Sequence, residues 1–267
     1  MHVDQGKLNA YVRNGHHLVK GWLVPGAAEA IILLSEAQRG LDLQGGVAEI
    51  GVHHGKLFIL LYLLGSQNEP AVAIDIFSKQ QLNLDHSGAG DLAAFRRNLR
   101  RHADTDRLTI HEGDSTELTS SHLLELGRGP FRMIGIDGGH TAEITEHDLA
   151  TSEGALARGG IVLLDDCFNE MWPGVIEGVH RYFSQPRTIV PFGIGANKIF
   201  FCHRKFAQQY ADVLKKMNGR ITPQEFLGHP VVCVEYASPT LAGWYRKADP
   251  WRAVRRGFHG VLSRWSR

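Results

Sequence analysis

Three acids and one histidine follow two apolar segments of the sequence. The segments Met133–Ile136 and Ile161–Leu164 have the composition of buried parallel strands, and a helix predicted to begin near Thr141 would connect them. Ligands of an open α/β sheet bind beyond the carboxyl ends of its strands. Four polar side chains are therefore expected to meet at that edge: Asp137, His140, Asp165 and Asp166.

Carboxylates and an imidazole in one place can carry out two kinds of chemistry. Carboxylate oxygens hold hard divalent cations. An imidazole with an ordinary pKa near 6.5 can act as a general base at neutral pH. Asp137 could instead contact a cofactor, or serve as the base without a metal. The acids could also have no chemical role, since an acid that follows a strand often only forms a turn.

The composition is that of an ordinary soluble globular protein. The chain has 267 residues, of which 43% are hydrophobic and 21% charged, and this suits one α/β domain with extensions. A net charge of +1 argues against nucleic acid as a partner of the whole molecule. Three widely spaced cysteines without a Cys-x-x-Cys motif indicate reduced thiols. The sequence shows no signal-peptide or membrane-span pattern, so a cytoplasmic location is expected.

Strands and helices are predicted to alternate along the chain. The predicted strands are Gly46–Gly51, Ala71–Ile76, Arg107–His111, Met133–Ile136 and Ile161–Leu164, then a hairpin of Thr188–Phe192 and Lys198–Cys202 with a longer loop. The predicted helices cover residues 26–39, 56–64, 92–102, 121–127, 174–183 and 205–217, besides the one that begins near Thr141. This order predicts a doubly wound, mostly parallel α/β sheet with helices on both faces.

Glycines follow the first predicted strand, where a ligand would approach the backbone. The spacing Glu49-x-Gly51-x3-Gly55 places them in a strand-to-helix turn, where a β-carbon would obstruct the ligand. This spacing differs from the Gly-x-Gly-x-x-Gly dinucleotide motif. Asp75 ends the next strand and is positioned to accept hydrogen bonds from ribose hydroxyls, unless it only caps a helix. The polar insertion at residues 77–91 is either a lid, a binding element or a disordered loop.

These motifs, in this order and at strand ends, resemble those of class I S-adenosylmethionine-dependent methyltransferases over roughly residues 40–205. The resemblance implies a Rossmann-like sheet of seven strands whose last two form an antiparallel hairpin. Glu49, Gly51 and Gly55 would lie under the methionine part of the cofactor, and Asp75 would hold its ribose. The segment Gly113-Asp114-Ser115, after the third strand, would lie beside the adenine.

The second half of the chain is similar to the metal-dependent O-methyltransferase branch. That branch includes catechol O-methyltransferase-like enzymes and the sugar O-methyltransferases of macrolide and aminocoumarin antibiotic pathways. The matching segments are Ile136-Asp137-Gly138-Gly139-His140 and Leu164-Asp165-Asp166, and the resemblance implies that Asp137, Asp165 and Asp166 bind Mg2+. Catechol enzymes carry a lysine where this chain has His140, whereas sugar-modifying relatives share an Ile-Asp-Gly-x-His pattern.

We therefore expect an S-adenosylmethionine-dependent O-methyltransferase that uses Mg2+ and methylates a hydroxyl of a sugar or glycoconjugate. A divalent cation would lower the pKa of that hydroxyl, which is a poor nucleophile at neutral pH, and His140 or Asp137 would be the base. The alternatives are a catechol-like small-molecule acceptor, a non-catalytic module that binds cofactor or glycan, and a NAD-dependent dehydrogenase. The missing dinucleotide motif disfavours the dehydrogenase.

The two ends of the chain are expected to be extensions of this core. Residues 1–40 are predicted to be a helical cap, residues 41–205 the cofactor-binding core and residues 206–267 a helical extension. Within residues 244–267, apolar side chains at helical spacing alternate with arginines, a pattern typical of an amphipathic helix. That helix would dock on its own protein, on a second copy or on a membrane surface. The chain ends are the expected contacts of a homo-oligomer.

Overall fold

The computed structural model describes residues 3–236, and nine strands in that part of the chain form one sheet. In chain order the strands are β1 Gly46–Ile50, β2 Ala71–Asp75, β3 Leu108–Glu112, β4 Phe131–Ile136, β5 Leu156–Asp165, β6 Ile189–Gly195, β7 Lys198–His203, β8 Gly219–Phe226 and β9 His229–Tyr236. The helices are α1 Gln5–Arg13, α2 Pro25–Gly40, α3 Lys56–Leu64, α4 Leu92–His102, α5 Ser120–Leu126, α6 Ala142–Ala155, α7 Pro173–Tyr182 and α8 Ala207–Leu214.

The strands lie in the order β3-β2-β1-β4-β5-β7-β6-β9-β8. The first five positions are parallel, β7 runs antiparallel to both β5 and β6, and the β8–β9 hairpin joins β6 through a parallel β6–β9 pair. The direction of strand addition reverses between β1 and β4. In sheets of this kind the crevice at such a switch point, outside the carboxyl ends of the strands, is where ligands bind.

The sheet is buried on both faces. Along β1, Val47 contributes to one core and Ala48 to the other, as expected when successive side chains point to opposite faces. Helices α1 to α4 and α8 cover the Val47 face, and α5 to α7 cover the Ala48 face. Helix α3 is apolar on all sides, so eight of its nine residues are buried. No helix within residues 3–236 is long and apolar enough to cross a bilayer.

The expectation of seven strands is wrong, because the sheet continues through β8 and β9. The predicted helical extension is accordingly wrong for residues 219–236, and in the described part of that extension only α8 is an α-helix. β-branched residues favour strands, and Val231, Val232 and Val234 of β9 are buried against the sheet. Leu227 and Gly228, both at positive φ, form the two-residue turn between the strands.

The domain boundaries at residues 40 and 205 stay a prediction. The amphipathic segment at residues 244–267, with its suggested membrane or subunit contacts, lies outside the described residues.

Candidate active site

The glycine turn after β1 brings the ends of β1 and β4 into contact. Gly51 has a φ of +86°, and a β-carbon there would lie 1.8 Å from the carbonyl oxygen of Asp137. Gly55 has a φ of +91° at the start of α3, where a β-carbon would lie 2.6 Å from the Phe95 ring. Both positions therefore require glycine. The backbone N–H of Asp137 donates to the carbonyl of Ile50 at 2.8 Å, which fixes the two strand ends together.

Glu49 points into the buried region beneath this turn. Its side chain is buried, and its Oε2 atom has no hydrogen-bond partner within residues 3–236. Burial raises the pKa of Glu49 well above its usual range, and the nearby Asp137 carboxyl adds to the effect. A buried acceptor without a partner is rare in folded proteins, so this atom is a candidate for contact with a ligand.

Asp75 lies at the end of β2, next to the glycine turn. Its carboxylate accepts hydrogen bonds from the backbone N–H groups of His53 at 2.7 Å and Phe77 at 2.6 Å. Burial raises the pKa of Asp75, and these backbone donors oppose the shift. Gly90 passes so close that a β-carbon there would lie 2.6 Å from Oδ1. The insertion at residues 77–91 is therefore ordered against the acid that was predicted to hold the ribose.

The segment Gly113-Asp114-Ser115 lies on the same edge of the sheet. The N–H of Gly113 donates to the carbonyl of Asp75 at 3.0 Å, so the ends of β2 and β3 are joined. The Asp114 carboxylate accepts from the N–H of Thr116 at 2.9 Å and begins a short 3-10 turn. All seven predicted cofactor residues thus lie at the carboxyl ends of β1, β2 and β3. Their roles stay a prediction.

Three side chains form a compact group beyond β4 and β5. Ligand atoms of Asp137, His140 and Asp166 all lie within 4.8 Å of one another, which is close enough to hold one metal ion. Asp165, the third predicted metal ligand, is not in this group. Its carboxylate forms an ion pair with the buried ammonium of Lys198 and accepts a hydrogen bond from Asn197 at 3.0 Å.

The β6–β7 hairpin places Lys198 and Asn197 at the acids. A longer loop was predicted here, but the turn is only Ala196 and Asn197, with φ angles of 53° and 64°. Two successive positive φ values define the type I′ turn that suits the strand twist. Asn197 donates to Asp166 Oδ1 at 2.6 Å, and Lys198 pairs across the ladder with Asp165. Asp166 itself has a φ of 59°, a strained value for an acid.

His140 is held on three sides. Its Nδ1 lies 2.8 Å from Asp85 Oδ2, its backbone N–H donates to the same oxygen at 2.6 Å, and its ring stacks on Trp172 with centroids 4.3 Å apart. Its Nε2 lies 3.3 Å from Asp166 Oδ2 but makes no hydrogen bond of good geometry within the described chain. Burial alone would lower the pKa of His140, but Asp166 and Asp85 outweigh it and raise the pKa.

The acids of this edge differ sharply in their environments. Burial, together with Asp165, raises the pKa of Asp137 to about 7. Burial also acts on Asp166, but the neighbouring His140 ring and hydrogen bonds from Asn169 and Asn197 outweigh it and lower the pKa to about 2. Around Asp137 the structure thus gathers two further carboxyl groups, Asp165 and Asp166, with Lys198 and His140 as the cationic side chains. A group of acids of this kind suits a divalent cation.

Sequence reasoning missed four residues of this site. Asp85 lies in an insertion with no periodic pattern, and Asn169 lies in the loop after β5. Lys198 and Asn197 could have been found only from the strand register, which pairs Lys198 with Asp165. Trp172 stacks on the His140 ring and so lies beside the acids.

The residues fit the two groups that the sequence implied. For the cofactor, the structure offers the glycine turn after β1 and the orphaned oxygen of Glu49. For a hard cation, it offers the carboxylate oxygens of Asp137 and Asp166, and His140 Nε2 lies beside them either as a third ligand or as a base. Oxygen ligands with one imidazole are compatible with Mg2+, although Mg2+ prefers oxygen throughout.

Comparison with known proteins identifies the central part of the chain. A family model described as a methyltransferase domain matches residues 48–167. No curated protein matches the sequence.

Many solved structures share the fold, and three of them illustrate the likeness. The O-methyltransferase NovP is 19% identical, with 67% of this chain and 79% of NovP covered at a TM-score of 0.53. Cofactor-bound Rv0187 from MTB is 15% identical, with 75% of this chain and 91% of Rv0187 covered at a TM-score of 0.52. The O-methyltransferase from Bacillus cereus in complex with SAH is 16% identical, with 74% of this chain and 90% of that protein covered at a TM-score of 0.50. At these identities the likeness is one of fold.

Proposed function

We propose that the chain methylates a hydroxyl oxygen of a sugar or glycoconjugate with the assistance of Mg2+. The proposal proceeds from the match of residues 48–167 to a methyltransferase domain: the chain is an S-adenosylmethionine-dependent methyltransferase, as the resemblance implied. The observation that carries the proposal is the excess of carboxylates beyond β4 and β5, directly beside the glycine turn. A methyltransferase that acted on a strong nucleophile would not need a buried, destabilising group of acids.

The residues at the carboxyl edge of the sheet have separate roles in the proposed reaction. S-adenosylmethionine, when bound, supplies a methyl group activated on a sulfonium sulfur, and Mg2+ would lower the pKa of the acceptor hydroxyl and fix its geometry. Asp137 and Asp166 would hold the cation, and His140 Nε2 would take the proton of the hydroxyl. The acceptor oxygen gains the methyl group, and the electron pair of the broken carbon–sulfur bond stays on sulfur.

Asp165 and Lys198 have a supporting role in this scheme. The Lys198 ammonium neutralises Asp165 and lies near Asp137. It therefore limits the repulsion among the acids when no cation is bound. Asn197 and Asn169 donate hydrogen bonds to Asp166 and fix the direction of its carboxylate. Partners that orient a metal ligand in this way commonly matter for metal affinity.

Two considerations support a hydroxyl acceptor and, more narrowly, a sugar. The structures of NovP and of the Bacillus cereus protein are both described as O-methyltransferases. The Ile-Asp-Gly-x-His pattern around His140 resembles the sugar-modifying branch, and a cation with two carboxylate ligands leaves positions for two vicinal hydroxyls. A catechol presents the same pair of oxygens, so it is the closest competitor.

The first test is calorimetric titration of S-adenosylmethionine, and separately of NAD, into the full chain with Mg2+ or with EDTA. We expect saturable binding of S-adenosylmethionine only. Transfer of a labelled methyl group to a panel of glycosides, sugar nucleotides and catechols then identifies the acceptor, and EDTA should abolish the transfer. Turnover that is unchanged by EDTA would disprove metal assistance. Tight cofactor binding without turnover on any acceptor would indicate a non-catalytic binding module instead.

A matched pair of variants localises the cation. Asp166→Asn should lower the rate with the best acceptor by about 10–100-fold and raise the Mg2+ concentration needed for half-maximal activity. Asp212→Asn removes the same charge from the exposed face of α8 and should change neither quantity. Equal effects of the two variants would contradict the proposed cation site.

A further inference from the structure

The insertion Phe77–Asp91 crosses the carboxyl edge of the sheet from the cofactor residues to the acids. At one end Phe77 is fully buried and stacks on Phe95, with centroids 5.8 Å apart. At the other end Gly90 lies against the Asp75 carboxylate. Between them the loop is closed by its own hydrogen bonds, in which the Asn83 side-chain amide donates to the carbonyl of Ser87 at 2.7 Å.

From the middle of this loop one side chain reaches His140. Asp85 Oδ2 accepts the backbone N–H of His140 at 2.6 Å and lies 2.8 Å from His140 Nδ1, and Asp85 Oδ1 accepts the N–H of Ser87 at 2.9 Å. The Asp85 side chain is only 10% exposed, and the His140 ring 9%. A loop residue 55 positions away along the chain thus contacts the proposed base and is largely shielded from water.

The chemistry of this contact determines which nitrogen of His140 is basic. Both oxygens of Asp85 already accept backbone N–H groups, Oδ1 from Ser87 at 2.9 Å and Oδ2 from His140 at 2.6 Å, so the carboxylate acts as an acceptor and Nδ1 of His140 is the donor. Nε2 lies 3.3 Å from Asp166 but makes no hydrogen bond of good geometry within the described chain. In the neutral ring the lone pair is therefore on Nε2.

We propose that Asp85 is a positioning residue that holds His140 with Nδ1 protonated and Nε2 directed at the acceptor hydroxyl. The loop therefore carries part of the catalytic apparatus as well as covering the cofactor edge. The same loop contacts Asp75 through Gly90, so one segment touches both the predicted ribose-binding acid and His140. The role of Asp85 in catalysis rests on the function proposed above, whereas its effect on the His140 ring does not.

The kinetic test uses two variants that each remove one charge from the loop. Asp85→Asn keeps the size of the side chain but cannot anchor Nδ1–H as a carboxylate does. We expect kcat to fall by about 10–100-fold with the KM for S-adenosylmethionine changed less than about twofold. Asp91→Asn should keep wild-type kinetics, because asparagine also caps α4 well. Asp85→Glu should restore part of the rate. An unchanged kcat in Asp85→Asn would overturn the proposal.

A spectroscopic test does not need turnover. In protein labelled with 15N-histidine and saturated with Mg2+ and S-adenosylhomocysteine, the ring of His140, assigned by its loss in His140→Gln, should show a protonated Nδ1 and an unprotonated Nε2 at alkaline pH. The Asp85→Asn variant should shift the ring to a mixture of the two forms. The same spectrum in wild type and variant would overturn the inference. The expected spectra without methyl transfer to any acceptor would instead count against the proposed function.

Discussion

An ionisable residue lies at each end of strand β4, Arg132 near its beginning and Asp137 directly after it, and the two ends are built in opposite ways. Arg132, near its beginning, has a side chain that is 2% exposed, and every polar contact it needs is present. Its Nε pairs with Glu69 Oε1 at 3.1 Å, and its two terminal nitrogens donate to Ser35, Gln38 and the carbonyl of Leu64. One positive charge meets one negative charge there.

At the other end of the same strand, Asp137 lies among groups of its own sign. Asp165 and Asp166 are its neighbours, and Lys198 and His140 neutralise only part of the charge. Two buried atoms at this end, Glu49 Oε2 and His140 Nε2, make no good hydrogen bond within the described residues. The edge that holds Arg132 therefore stabilises the fold, whereas the edge that holds Asp137 is destabilised until a ligand completes it.

The strongest test of this contrast is the removal of Arg132. Arg132→Met leaves Glu69 buried without its partner, so we expect the free energy of unfolding to fall by about 3–5 kcal/mol. Denaturant titration measures this loss. Arg220→Met, at an exposed pair with Glu235, is the control and should cost well under about 1 kcal/mol. A loss as small in Arg132→Met as in the control would break the comparison.

Removal of the Asp137 charge at the other end of β4 should instead raise the free energy of unfolding. Asp137→Asn relieves repulsion among the acids, so we expect the metal-free protein to gain about 0.5–2 kcal/mol at pH 8, while methyl transfer is lost. Unfolding with EDTA present measures the gain, and the transfer assay measures the loss. A destabilised Asp137→Asn protein would show that the acids do not repel one another strongly enough to destabilise the metal-free protein.

The same repulsion should appear as a pH dependence. The pKa of Asp137 is about 7 in the folded protein and near 3.8 in the unfolded chain. Between these values the folded state keeps a proton that the unfolded state has lost, so stability falls as the pH rises from about 4 to 7. Glu49 and His140, whose pKa values are also raised, act in the same direction.

We expect a loss of about 2–3 kcal/mol between pH 5 and pH 8 in EDTA, measured by denaturant titration, and a smaller slope in Asp137→Asn. Saturating Mg2+ should reduce the loss, because the cation binds the deprotonated acids. Stability that rises over this range would contradict the raised pKa of Asp137.

The smallest effect is expected at the hairpin turn. Asn197→Gly keeps the positive φ of the turn but removes the two amide hydrogen bonds to Asp165 and Asp166. We expect a change in stability of less than about 1 kcal/mol and a weaker affinity for Mg2+, measured by titration of activity with the metal. Unchanged Mg2+ dependence would exclude a role for Asn197 in fixing the Asp166 carboxylate.

The contrast between the ends of β4 also explains what the sequence could predict. The acids were found because each follows an apolar strand, and strand ends of a parallel sheet share an edge. Arg132 was missed for a related reason. It interrupts the apolar pattern, so the strand was predicted to begin at Met133 although it begins at Phe131. In a sequence, a charged residue that is buried with all its partners cannot be distinguished from a polar residue that ends a strand.

Contacts between distant segments could not be predicted from local patterns. The Lys198–Asp165 pair depends on the β5–β7 register, and the Asp85–His140 pair depends on the path of an irregular loop. The two extra strands were missed because the apolar run of β9 is short and β8 is largely exposed, and only pairing with β6 makes them part of the sheet. Spacing along the chain indicates which edge a residue occupies. It does not indicate which residue it meets there.

The β8–β9 hairpin protects the edge of the sheet from pairing with another copy of the protein. Without it, β6 would be the outermost strand and would offer unpaired backbone groups to any other chain. With it, the outermost strand is β8, which carries Pro223 and the exposed charge of Arg220. Proline and charge discourage edge-to-edge pairing. A chain truncated before Gly219 would therefore keep the acids beyond β4 and β5 in place, but its exposed edge strand β6 would make it prone to aggregation.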